Sequence, residues 1–196
     1  YRYVIVAMSS DAMKVKPLNI EGLLLVELSV NGDVRGFFTE RFKRSVFTEL
    51  GLPTDFVQDN HSRSAPGVLR GLHYQVLPSQ GKLVGVTRGK IWDVAVDIRP
   101  GSATYGQSFG VELSDMNGRL LWMPAGFAHG FCVLGNESAD VLYKVDAEYN
   151  PSTENGILWS DPELAIRWPL SNPGLSERDS NLPSFQDYRA QPVDWS

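Results

Sequence analysis

From Phe56 onward the chain is cut into short apolar runs at near-regular intervals, at 67–75, 82–88, 90–98, 107–113, 119–123, 130–135, 139–147 and 156–159, with Gly, Pro and Asn between them. Short strands at that spacing with turn residues between them define an all-β sandwich or barrel. Upstream, residues 20–30 read as a strand that ends in the turn signal Asn31-Gly32-Asp33, and 34–42 is aromatic and extended. A single short helix is expected over 44–50, where Val46, Phe47 and Leu50 share a face and Gly51 and Pro53 end it. The stretch 171–196 is polar and Pro-rich, and Leu175, Leu182 and Phe185 are the anchors by which it would pack back on the barrel. No repeat, low-complexity tract or linker divides the chain, so 14–196 is expected to be a single domain. Met8 and Met13 could each be a start, and 1–13 is therefore read as a non-native or disordered leader outside the fold.

Composition narrows the function. A length of 196 residues with 42% hydrophobic content supports one well-buried core. The formal net charge of −5 excludes a general nucleic-acid binder, so any phosphate site must be a local cluster of cations. The opening Tyr1 to Met8 has too short an apolar core for a signal peptide or a membrane span, which need roughly 7–15 and about 20 apolar residues. No membrane association is expected. Cys132 is the single cysteine, which rules out an intrachain disulfide and a Cys-rich metal site and is compatible with a cytoplasmic location.

Chemistry concentrates in Val68-Leu69-Arg70-Gly71-Leu72-His73-Tyr74-Gln75, where a guanidinium and an imidazole stand three residues apart in a strand-like run. An imidazole has an ordinary pKa of about 6.5 and suits a general base. Gly71 permits a bulge or close backbone approach, which would turn Arg70 and His73 toward one cavity despite the two-residue period of a strand. A lone strand histidine is more often structural, and Asp93 and Asp97, placed by alternation opposite Trp92, Val94, Val96 and Ile98, read as solvated acids. Gly118 to His129 fits the spacing G-x5-P-x-G-x2-H and resembles the second conserved motif of the cupin superfamily, departing from it at Val133, where an asparagine is expected. That resemblance implies a double-stranded β-helix, a cupin-like jelly roll with a few short helices. A metal cupin would also carry H-x-H and a glutamate in a first motif. The matching place here reads His73-Tyr74-Gln75, with an amide in place of the second histidine, and His61 lies in an unrelated segment. No metal site is expected, because metal coordination wants three or four good ligands in defined geometry.

Gly36-Phe37-Phe38-Thr39-Glu40, Val57-Gln58-Asp59-Asn60-His61-Ser62, Val68 to Gln75, Gln80-Gly81-Lys82, Asp93 to Arg99, Pro124 to Phe131, Leu142-Tyr143-Lys144, Trp159-Ser160-Asp161-Pro162 and Trp168-Pro169, in that order, resemble the dTDP-4-dehydrorhamnose 3,5-epimerase family from roughly Pro17 to Phe185. The resemblance implies a dTDP-4-keto-6-deoxyhexose substrate, inversion at the two carbons flanking the ketone, and no metal or redox cofactor. It makes His73 the base and Asp179, in Leu175-Ser176-Glu177-Arg178-Asp179, its carboxylate partner. Lys82 would face the C4 oxygen, and Tyr143 would be the acid on the opposite face. His129 and Asp93 would stand behind these groups or on sugar hydroxyls. Arg70 and Arg119 are the phosphate candidates, Gln58 and Asn60 would contact the base or hydroxyls, and Tyr149 would stack. The family implies a homodimer with an exchanged N-terminal strand, through which Arg35 and Glu40 would reach the partner's nucleotide. A single-centre epimerase, a 3,4-ketoisomerase of a related nucleotide sugar and a non-catalytic sugar-binding cupin remain the alternatives.

Overall fold

A computed structural model describes residues 8–9 and 13–195. The strands are β1 (Met8–Ser9), β2 (Met13–Pro17), β3 (Leu24–Leu28), β4 (Asn31–Asp33), β5 (Gly36–Phe38), β6 (Gln58–Ser64), β7 (Leu69–Gln75), β8 (Lys82–Arg88), β9 (Lys90–Asp97), β10 (Ser108–Ser114), β11 (Arg119–Met123), β12 (Phe127–Val133), β13 (Ala139–Val145) and β14 (Glu154–Gly156). Among the described residues three short helices complete the fold: α1 (Arg44–Glu49), α2 (Glu177–Ser180) and α3 (Phe185–Ala190). One sheet has the order β1-β2-β3-β11-β8-β13-β6, the second β10-β9-β12-β7-β14, and β4 with β5 forms a separate ribbon.

Alternation along the strands sorts side chains into three apolar layers. Leu25, Val84, Leu121 and Val141 of the first sheet meet Ile91, Ala95, Leu113 and Phe131 of the second in the central core. Leu24, Val26, Leu28 and Leu120 point the other way and pack under Phe47 and Leu50 at α1. On the outer side of the second sheet, Leu72, Val94, Val96 and Ile98 are covered by Leu164, Phe185 and Tyr188 from the C-terminal third. Coverage on both sides explains why so many of these strands read as near-continuous apolar runs.

The jelly-roll, mostly antiparallel β architecture is the one expected, with several local differences. The first strand begins at Leu24, because Ile20 to Leu23 closes a turn in which the Leu23 N–H donates to the Ile20 carbonyl. Asn31 to Asp33 is strand rather than turn, and the chain reverses at Val34-Arg35. Strand β6 was not anticipated. Of the 1–13 stretch only Met8, Ser9 and Met13 fall among the described residues. Met8–Ser9 pairs with β2, and Met13 opens β2 fully buried. Asp93 and Asp97 are fully buried rather than solvated. Their side of β9 faces the interior, and the apolar side opposite is the one roofed by the C-terminal segment.

Candidate active site

At one end of the sandwich the central core gives way to a cavity of about 350 Å³. Strand β6 contributes Gln58, Asn60 and Ser62 to its wall, and β7 contributes Arg70 and His73. Lys82, His129, Phe131, Tyr143, Tyr149, Glu154 and Arg178 complete the lining together with Gln80.

Gly71 is the local cause of the β7 geometry. Its φ of +115° lies in the region that favours glycine, and a Cβ there would come within 2.6 Å of the Gly130 Cα and the His129 carbonyl oxygen. The ladder between β7 and β12 shifts register opposite this point, between His129 and Phe131. The irregularity brings Arg70 and His73, three residues apart, to the same cavity. The Arg70 Nε donates to the Ser64 hydroxyl at 2.9 Å, which fixes the guanidinium stem against β6.

His73 Nε2 lies 2.7 Å from Asp179 Oδ1. Asp179 is carried by α2, whose N-cap Ser176 accepts the Asp179 backbone N–H, and the Gly71 N–H reaches Asp179 Oδ2 at 3.4 Å. Burial works to raise the Asp179 carboxyl, but the hydrogen bond and charge of His73, with the Gly71 and Ser176 contacts, hold it below the usual carboxylate range. With Nε2 engaged, Nδ1 is the imidazole nitrogen left for a ligand. One strand over, in register with His73, His129 Nε2 lies 2.8 Å from Asp93 Oδ1. Asp93 therefore stands behind His129 rather than on the cavity, and its Oδ2 has no partner among the described residues.

Lys82 opens β8 between Met123 and Val145. Burial pushes its ammonium down to about 8 against the opposing pull of the Glu154 and Asp93 carboxylates. Tyr143, on β13, faces the cavity from the first sheet while His73 faces it from the second. Burial first, then the Glu154 carboxylate, raises the Tyr143 phenol against the lowering effect of Arg70, so it stays protonated well past neutrality. Imidazole, ammonium and proton-bearing phenol thus share one enclosure, and such groups can take a proton, balance a negative charge and return a proton.

Gln58 and Asn60 sit on the wall, joined by a 2.8 Å hydrogen bond from Gln58 Nε2 to Asn60 Oδ1. The Tyr149 hydroxyl donates to Glu154 Oε2 at 3.0 Å. Arg119 is not brought to the cavity. It opens β11 beside Glu27, with Nε 3.7 Å from that carboxylate. Arg35 and Glu40 also lie away from it, Arg35 paired with Asp33 and Glu40 with Lys43 near the β4–β5 ribbon. His61 faces outward toward Asp140. Among the described residues no group of three or more His, Cys, Asp or Glu is placed to hold a metal ion.

Sequence reasoning missed Glu154 and Arg178, which pair across the cavity wall. Burial opposes ionisation of Glu154, yet Arg178, the charge of His73 and the Tyr149 hydroxyl keep its carboxyl below the usual range. Arg178 immediately precedes Asp179, and that adjacency was the available signal. Glu154 had none, since it precedes the 156–159 run read as a strand; the strand runs Glu154–Gly156 and sets it opposite Gln75.

A cupin-type jelly roll whose cavity holds an imidazole–carboxylate pair, an ammonium and a phenol is equipped for acid–base chemistry. The model of the dTDP-4-dehydrorhamnose 3,5-epimerase family matches residues 17–187. The chain is 54% identical over 177 residues to the dTDP-4-dehydrorhamnose 3,5-epimerase of Pseudomonas aeruginosa, covering 89% of this chain and 97% of that one. Among solved structures it is similar to the 3,5-epimerase of Legionella pneumophila in complex with dTDP-4-keto-L-rhamnose, with a TM-score of 0.85, 49% identity and coverage of 89% and 93%. A 3'-monoepimerase of Streptomyces bikiniensis in complex with dTDP-quinovose matches with a TM-score of 0.82 at 33% identity, covering 89% of each chain. The chain belongs to the dTDP-4-dehydrorhamnose 3,5-epimerase family, a family of isomerases.

Proposed function

We propose that this protein inverts C3 and C5 of a dTDP-4-keto-6-deoxyhexose without a redox cofactor, as a step in making a dTDP-L-rhamnose-type sugar. The observation that carries the reading is His73, backed at 2.7 Å by Asp179, facing the same cavity as Tyr143 from the opposite sheet. His73 Nδ1 takes the proton alpha to the C4 ketone, and Asp179 stabilises the imidazolium that forms. The Lys82 ammonium stabilises the negative charge that develops on the C4 oxygen. Tyr143 then returns a proton to the opposite face of the ring, and the net result is inversion at that carbon.

Arg70, which lines the cavity with its Nε held by Ser64, is the phosphate ligand within the chain, and His129, oriented by Asp93, meets a sugar hydroxyl. Gln58, Asn60 and Tyr149 hold the nucleoside end. Arg35 and Glu40 serve the nucleotide bound by a second copy, in a homodimer that exchanges an N-terminal strand. Support for an interface comes from the exposed Phe37 and Phe38 between these two residues and the exposed Val34 just before them. Among the described residues no helix is long and apolar enough to cross a membrane. We place the enzyme in the cytoplasm, with which a single, buried, unbridged cysteine is compatible.

Incubation with dTDP-4-keto-6-deoxyglucose in D2O, read by NMR, tests the proposal. Deuterium at both C3 and C5 is the expected result. Label at one centre alone would transfer the chain to the monoepimerase reading, and no label at either would leave a sugar-binding cupin.

A further inference from the structure

Residues 146–153 cross from β13 in the first sheet to β14 in the second, and Tyr149 on this crossing is part of the cavity wall. An irregular crossing has backbone groups that no strand ladder satisfies. Here glutamine side chains satisfy them at four successive residues. The Ala147 carbonyl accepts from Gln80 Nε2 at 2.7 Å and the Glu148 carbonyl from Gln75 Nε2 at 2.9 Å. The Tyr149 N–H donates to Gln58 Oε1, and the Asn150 N–H to Gln75 Oε1, both at 2.8 Å. The second Nε2 hydrogen of Gln75 goes to the Pro78 carbonyl at 2.8 Å.

Each glutamine stands two residues from a group that faces the cavity: Gln75 after His73, Gln80 before Lys82, Gln58 before Asn60. Two residues is the repeat that returns a strand to the same face, so Gln75 and Gln58 share a face with their neighbours. Gln75 and Gln80 are also buried, at 3% and 9% exposure, and an amide offers donor and acceptor together, as a peptide segment requires. The crossing therefore takes its position from the same short stretches that set the imidazole and the ammonium. Gln75, at the place where a metal cupin carries its second histidine, has both Nε2 hydrogens and its Oε1 committed to backbone.

We propose that Gln75 and Gln80, together with Gln58, are positioning residues that clamp 147–150 so that Tyr149 stands as a preformed wall in register with His73 and Lys82. The proposal rests on Tyr149 contacting the substrate, as argued above. It is tested by kcat and KM for the wild type, Gln75→Leu, Tyr149→Ala and the double variant. Gln75→Leu should raise KM about tenfold, as expected for the loss of hydrogen bonds that orient a binding wall, and leave kcat within a factor of about two. The double variant should be no worse than Tyr149→Ala, because both changes act through one ring. An unchanged KM in Gln75→Leu, or KM increases that multiply in the double variant, would overturn the clamp. If Tyr149→Ala itself leaves KM unchanged, the substrate contact fails and the clamp with it, whereas a raised KM there with none in Gln75→Leu sinks the clamp alone. Should Gln75→Leu not fold, Gln80→Ala, which removes one bond, enters the same cycle with the same criterion of non-multiplying KM.

Discussion

The buried Lys82 ammonium gives the site a built-in pH limit. With its pKa pushed to about 8, it is cationic at neutral pH and loses its charge as pH rises through that value. In the proposed mechanism this cation stabilises the enolate oxygen, so kcat/KM, which reports the free enzyme, should fall on the alkaline side with a midpoint near 8, read from a pH–rate profile. The stability effect of this group has the opposite sign. In the unfolded chain the lysine holds its proton to about 10.4, so the unfolded state binds more protons between about 8 and 10 and this group favours folding as pH climbs. A thermal midpoint that tracked the loss of rate would assign the limb to unfolding instead. At His73, substitution by Ala removes the proposed base and should lower deuterium incorporation by about a thousandfold or more, while dTDP still binds in calorimetry. Retained turnover would take the base role away from His73. Tyr143→Phe keeps the ring and removes the proton, so solvent exchange should survive better than net inversion. Equal losses in the NMR time course would argue against a donor role. Asp93 shows how far a single residue could be read. Alternation placed it opposite Trp92, Val94, Val96 and Ile98, and there it lies, behind His129; what failed was the solvated reading, because its side of β9 faces the central core while the C-terminal segment covers the other.

Elements carry the geometry that these residues need, and β7 carries most of it. Gly71→Ala would place a methyl 2.6 Å from the Gly130 Cα and the His129 carbonyl oxygen, at a φ of +115° that L side chains rarely adopt. Strain and overpacking together should cost about 2–5 kcal/mol, measured as a lowered denaturant midpoint at constant slope. The folded fraction should lose exchange more than nucleotide binding, since His73 lies two residues beyond the distortion. An alanine variant of wild-type stability would show that the register shift does not depend on glycine. The bulge was legible in the sequence because glycine between two functional side chains has few other uses in a strand. Strand β6 was not legible by the usual signal. Gln58 to Ser64 has no apolar alternation, since its inward face lines a polar cavity instead of the core. A period of two is nonetheless present, with uncharged Gln58, Asn60, Ser62 and Ser64 alternating with outward Asp59, His61 and Arg63. Strands that build a polar site trade hydrophobic alternation for alternation between neutral and charged polar groups. Similarly, α2 reads as surface by composition, and only the Ser176 cap and the buried Asp179 reveal that it docks.

On the scale of the whole molecule, the β4–β5 ribbon is the part that a single chain does not account for. It joins neither sheet, and two-stranded ribbons are at best marginally stable alone in water. Phe37 and Phe38 are neighbours on β5 and so point to opposite faces, yet they are 66% and 68% exposed, with Val34 at the turn fully so. A ribbon apolar on both faces calls for cover on both faces, which a second copy supplies when the ribbon lies between subunits. Paired substitution of Phe37→Asp and Phe38→Asp should therefore convert the proposed dimer into a folded monomer, read by analytical ultracentrifugation at micromolar concentration. Because Arg35 and Glu40 flank these two residues, the same variant should raise KM by about tenfold or more through loss of a charged phosphate contact, while turnover at saturating substrate persists, since His73, Asp179, Lys82 and Tyr143 all come from one chain. A wild-type protein that sediments as a monomer with full activity would remove Arg35 and Glu40 from the site. The ribbon would then have to be explained by some partner other than a second copy.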